Sequence, residues 1–170
     1  MKKTLTLLAL TISFSMNAQV STNNTSPTGT YASAMGNGTT ASGNESTAMG
    51  YDTTASGEAS TAMGYSTTAS TQASTAMGKL TTASGGISTA MGLSTIASGI
   101  VSTAMGNNTT ASGNSSTAMG YSTSASGYYS TAMGRETTAS DYESLVIGQY
   151  NSSGSSVTNN ATSFSTSNTA

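Results

Sequence analysis

Five residues, Ser46-Thr47-Ala48-Met49-Gly50, return fourteen positions later as Ser60-Thr61-Ala62-Met63-Gly64, and again from Ser74, Ser88, Ser102, Ser116 and Ser130. Between these blocks lies a second one, Thr53-Thr54-Ala55-Ser56-Gly57, echoed from Thr67, Thr81, Thr95, Thr109, Thr123 and Thr137. Self-similarity at a short fixed period is the signature of a solenoid or array. One such unit is too small to bury a core. Its stability has to come from stacking coil on coil, or chain on chain.

Each unit holds two short fixed segments that end in glycine, separated by two variable pairs such as Tyr51-Asp52 and Glu58-Ala59. This reads as strand, turn, strand, turn. A helix is disfavoured, because an interior glycine costs a helix about 1 kcal/mol and glycine recurs twice per unit. The expected fold is therefore all-β, a parallel β-roll of about eight coils at roughly 4.8 Å per coil. Strand side chains alternate faces, so Thr47 and Met49 share one face and Ser46, Ala48 and Gly50 the other. Met35, Met49, Met63, Met77, Met91, Met105, Met119 and Met133 then form one ladder, which Ile147 continues. Burial of a Met is worth about 1.5–3 kcal/mol. The Met face is accordingly expected to point inward, against the coil interior or a neighbouring chain.

Composition narrows the function. The chain has no Cys, His or Trp, and charged residues are 6% of it. Disulfides and thiolate metal sites are excluded. Lys2 and Lys3, then an apolar run from Leu5 to Phe14, then Met16-Asn17-Ala18, read as a secretory signal peptide over residues 1–18. The run is shorter than the roughly 20 apolar residues of a membrane span, so no membrane insertion is expected of this chain. Beyond Ala18 only Lys79 and Arg135 oppose six carboxylates, which leaves no footprint for nucleic acid. A polar leader is expected over 19–31, the β-roll over 32–151, and a low-complexity Ser/Thr/Asn tail over 152–170.

The unit Ala55-Ser56-Gly57-Glu58-Ala59-Ser60-Thr61-Ala62-Met63-Gly64 resembles the head repeat of trimeric autotransporter adhesins of the YadA-like type. The likeness spans Ala32 to Asn151, and Ser144-Leu145-Val146-Ile147-Gly148 comes nearest to the family's Ser-Val-Ala-Ile-Gly form. The resemblance implies a left-handed parallel β-roll, a homotrimer, and exposure on the outer membrane or outside a Gram-negative cell. The family's Val is Thr here and its Ile is Met. A buried hydroxyl without a partner costs about 1–3 kcal/mol, so Thr53 and its equivalents are expected to hydrogen-bond along the ladder or to face water. No stalk-like heptad run or membrane-strand series follows Asn151, so the chain is expected to be either a fragment or freely secreted.

No catalytic or cofactor-binding residues stand out. Asp52 and Glu58 fall in turns, where solvated charges are ordinary. The calcium-binding β-roll motif is absent. Thioethers select Cu(I), but repeated Met is more often packing. The expected function is an adhesin head with no enzymatic activity, attaching to a protein or glycan on host, matrix or other cells. Its candidate contacts are Leu93, Ile100, Val101, Tyr128 and Tyr129, all in variable turns. Two other readings compete. One is an ice-binding solenoid whose Thr file (Thr39, Thr53, Thr67, Thr81, Thr95, Thr109, Thr123 and Thr137) orders water; the other is a fibre segment with no ligand.

Overall fold

The computed structural model describes residues 24–153. The proposed signal peptide, residues 19–23 of the leader and residues 154–170 of the tail lie outside the described residues. The chain winds into a parallel β-solenoid whose two walls are nine-stranded sheets. One wall is built from five-residue strands, from Ser33–Asn37 and Thr47–Tyr51 through Leu145–Gln149. The other is built from two-residue strands such as Thr54–Ala55 and Thr68–Ala69. Every strand pairs with its equivalent one repeat away, so Thr47 lies on Thr61, Ala48 on Ala62 and Met49 on Met63. The period of the sequence is therefore the length of one coil, as expected, and the coils number about nine rather than eight.

Two corners close each coil. At the first, two residues, Asp52 with φ 54° and Thr53, join the long strand ending at Tyr51 to the short strand starting at Thr54. At the second, Gly57-Glu58-Ala59-Ser60 makes a β-turn in which Ser60 N–H donates to Gly57 O at 3.2 Å and Ala59 has φ 53°. A positive φ at the third residue is what such a turn requires. The ladder also runs round the corners: Asp52 N–H donates to Asn37 O and Ala59 N–H to Asn44 O, each at 2.8 Å. The glycine next to last in the long strands is required wherever another coil follows. Gly78 has φ +120°, and a Cβ there would run into the backbone oxygen of Gly92 in the next coil.

The alternation within the long strand is as the sequence implied, but the face that points into the coil is the other one. Ala48 and Ala55 are wholly buried, as are Ser46, Thr53 and their equivalents. Met49, Met63, Met77, Met91, Met105, Met119 and Met133 lie outside the coil and are half-buried, with Met35 at the first coil and Ile147, exposed, at the last. Sheets packed through large side chains stand about 10 Å apart, which needs roughly three extended residues at ~3.3 Å each to bridge. The first corner offers two, Asp52 and Thr53. The walls are thus held too close for Met, and Ala, Ser, Thr and Gly fill the space between them, with Val146 the one larger interior residue among the described residues, at the last coil.

The same closeness overturns a second expectation. The hydroxyls of Thr39, Thr53, Thr67, Thr81, Thr95, Thr109, Thr123 and Thr137 neither face water nor hydrogen-bond along the ladder. They are buried with no hydrogen-bond partner among the described residues. Neighbouring coils repeat at about 4.8 Å, beyond hydrogen-bond reach between identical side chains. The interior serines fare better where they curl back locally, as Ser46 and Ser60 do, donating to Gly43 O and Gly57 O at 2.7 Å.

The solenoid also starts before Ala32. Ser26–Pro27 pairs in parallel with Thr40–Ala41. Thr25-Ser26-Pro27-Thr28-Gly29 is a degenerate copy of the Thr-Thr-Ala-Ser-Gly block. At the other end Ser152 bridges to Thr138, and Ser153 N–H donates to Thr138 O at 2.7 Å.

Two substitutions in the interior should act in opposite directions. Thr81→Val keeps the shape and removes an unpartnered hydroxyl, so it should stabilise the chain by about 1–2 kcal/mol. Ala76→Leu should cost about 3 kcal/mol or more, because the walls have no room for the added carbons. Urea unfolding at equal protomer concentration measures both.

Candidate binding surface

Three outer surfaces are left once the interior is filled. The long wall presents two in-register columns, Thr47 with its equivalents and the Met ladder, none charged and all half-buried except Ser33, Leu145 and Ile147 at the ends, which are exposed. The short wall presents Thr54-type and Ser56-type side chains, with Ile96 as the exception in its column. The two corners carry everything that varies. Their residues stack as columns because coil stacking aligns them.

On the first corner, Tyr51 and Tyr65 stack with ring centroids 5.1 Å apart and planes 8° from parallel. The Lys79 ammonium sits 5.6 Å from the Tyr65 ring centroid. Farther along, Arg135 lies between two rings, 5.8 Å from Tyr121 and 5.6 Å from Tyr150. Such exposed cation–π contacts are worth about 0.5–1 kcal/mol each. Arg135 also approaches Glu136 at 3.5 Å, a solvated pair of small value.

On the second corner, Tyr129 and Tyr142 meet edge to face, with centroids 5.7 Å apart. Glu143 beside it raises the Tyr142 phenol above its ordinary value, chiefly through carboxylate charge, with smaller contributions from desolvation and Tyr129. The Tyr142 hydroxyl therefore keeps its proton further into the alkaline range and stays a hydrogen-bond donor. Tyr128 is 56% exposed, and Tyr129 is exposed beside it.

The five candidate contact residues all lie on the corners, but they do not form one patch. Leu93 closes a long strand at the first corner, whereas Ile100, Val101, Tyr128 and Tyr129 occupy the second. Ile100 and Val101 are separated from the tyrosines by the coil that carries Asn114 and Ser115. The Tyr51–Tyr65–Lys79 column was not among the candidates, although its signal was legible: corner residues one period apart must stack. Among the described residues, no three His, Cys, Asp or Glu side chains gather to hold a metal ion.

A solenoid with a fixed frame and variable exposed corners is the architecture of a repetitive surface protein. The YadA head domain repeat matches residues 28–53, 55–81, 97–123 and 125–151, more than half of the chain. The chain belongs to this family, the heads of trimeric autotransporter adhesins, which is non-enzymatic and exposed on the outer membrane. Comparison with curated protein sequences gives no match. The matched segment beginning at residue 28 agrees with a solenoid that starts ahead of Ala32.

Glu143→Gln removes the main cause of the raised Tyr142 value, so Tyr142 should titrate closer to an ordinary phenol in the variant. Site-resolved NMR titration of the tyrosine rings checks this. No change would mean that Glu143 does not govern the ring.

Proposed function

We propose that this chain is the head of a homotrimeric adhesin, exported by a signal peptide over residues 1–18 and displayed at or beyond the outer membrane. The observation that carries the trimer is the long wall: nine coils present an uncharged Thr–Met face in register, over which nothing among the described residues packs. The large apolar groups that do not fit inside the coil are then covered by neighbouring copies. Ile147 and Leu145, exposed at the end of the same face, are covered in the same way.

Attachment in this reading is to a protein or glycan ligand on host, matrix or other cells, through the corners. Tyr128 and Tyr129 are the best placed of the candidates, because rigid aromatic side chains give contact area at low entropy cost. Leu93, Ile100 and Val101 are better explained by copy-to-copy contact, argued below. The ice-binding reading loses the Thr file on which it rested, since those side chains lie inside the coil. The fibre reading differs only in lacking a ligand, so an attachment assay separates the two.

The chain from Gln19 onward should sediment as a trimer. Tyr128→Ser with Tyr129→Ser should leave that trimer intact and weaken attachment to cells or immobilised matrix several-fold. A folded monomer at micromolar concentration would end the trimer reading. Loss of the trimer with unchanged attachment would make the tyrosines interface residues and not ligand contacts.

A further inference from the structure

Large aliphatic side chains on the corners are confined to one belt, residues 80–101. Leu80 and Leu93 lie at the first corner and Ile96 on the adjoining short wall, at 49%, 38% and 43% exposure. Ile87, Ile100 and Val101 cluster at the second, at 59%, 55% and 51%. Elsewhere the corners are polar, aromatic, charged or small. The two clusters lie on opposite edges of the Met face, because each long strand starts at the second corner and ends at the first.

Three observations make this belt more than scattered surface. First, it sustains strain. Ile87 and Val101 are β-branched yet held at φ 57° and 58°, a region such residues seldom enter. Coil stacking fixes them there, with Ile87 N–H on Gln72 O and Val101 N–H on Gly86 O. Asn, Asp or Gly would be easier at both sites, and in solvent nothing favours a branched aliphatic.

Second, the clusters match in height. Leu80 and Ile87, and Leu93 and Ile100, are each seven residues apart, half a coil, so they differ by about half of the ~4.8 Å coil rise. Rings of three or more copies rotate them without translation along the axis, and their contacts are heterologous. Side by side in such a ring, the first corner of one copy meets the second corner of the next, and the two clusters lie within about half a coil rise of each other. Aliphatic then meets aliphatic.

Third, the area requires it. The Met face is roughly 17 Å by ~43 Å, or about 700 Å², from ~3.3 Å per residue and ~4.8 Å per coil. In a ring it serves two neighbours, leaving each about half, well under the ~800 Å² per partner of a standard interface. The corners have to supply the remainder.

We infer that the Leu80–Leu93–Ile96 cluster docks onto the Ile87–Ile100–Val101 cluster of a second copy of this chain, as the dry centre of a head-to-tail seam repeated around the ring. This rests on the trimer reading above and adds to it which surfaces meet and in what sense. The corners beyond the belt form the wetted rim, which leaves Tyr128 and Tyr129 reachable by a ligand.

The chain has no Cys, so engineered thiols report contacts cleanly. Leu93→Cys and Ile100→Cys are made singly, mixed by refolding together, and combined in one chain; Leu80→Cys with Ile87→Cys serves as a second pair. Under mild oxidation neither single variant should link to itself. The mixture should give two-chain species, and the combined variant a covalent three-chain species. Self-linking of either single variant makes the contact isologous and overturns the seam. A protein that sediments as a trimer yet links in neither pair overturns the seam while leaving the trimer reading intact. A wild-type monomer overturns both. Independently, Ile100→Ser with Val101→Asn should raise the concentration at which the trimer dissociates at least tenfold, with no loss of coil structure by circular dichroism. An unchanged dissociation concentration counts against the belt.

Discussion

The narrowness of the coil governs the rest of this molecule. Fourteen residues must make two walls and two corners, and the first corner is two residues long. The gap between the walls is therefore fixed by backbone reach before any side chain is chosen. Ala, Ser, Thr and Gly fill the gap at every level but the last, where Val146 replaces Ala, and in-register stacking repeats that choice. The long strand's penultimate glycine has the same origin, since the next coil's backbone occupies the space of a Cβ.

An interior of this kind holds the shape but contributes little hydrophobic energy. A buried methyl is worth about 0.8 kcal/mol, and the unpartnered Thr hydroxyls subtract about 1–3 kcal/mol each. What remains is the backbone ladder, continuous through strands and corners alike. Thin domains bury too little surface to be secure alone. The Met ladder, excluded from the interior, is the largest apolar resource the chain has. Placing it outside links the fold of one coil to the presence of neighbours.

Much of this was legible in the sequence. The period fixed the coil length, the paired glycines and variable doublets located the corners, and strand alternation correctly grouped Thr47 with Met49. The direction of that face was not legible. The rule that the largest apolar group points inward assumes an interior wide enough to take it, and the two-residue corner removes that assumption. The fate of Thr53 follows from the same error. The coil before Ala32 escaped notice because Ser26-Pro27-Thr28 keeps the size pattern of Thr-Ala-Ser but not its residues. Of the candidate contacts, Ile100, Val101, Tyr128 and Tyr129 lie in turns while Leu93 ends a long strand, and spacing alone could not say that Leu93 and Ile100 sit on opposite edges of one face.

The two directions in which a stacked array can grow are treated differently. Along the rod, each end presents an open strand edge, which invites further pairing. At the first edge stands Pro27, the only proline of the chain. The N–H groups of Ser26 and Thr28 on either side of it donate inward, to Thr39 O and Ala41 O. In a strand, alternate N–H groups point to opposite sides, so the position lacking a donor is the one that would have pointed outward. Proline belongs on such an edge. At the other end Asn151 folds its side-chain amide back onto Ile147 O, and Ser153 occupies Ser140 and Thr138. Among the described residues, axial addition is hindered at both ends, whereas the Met face, uncharged and in register, is left open. Hindered ends and an open side suit the lateral association proposed above, in which the corners would select the partner.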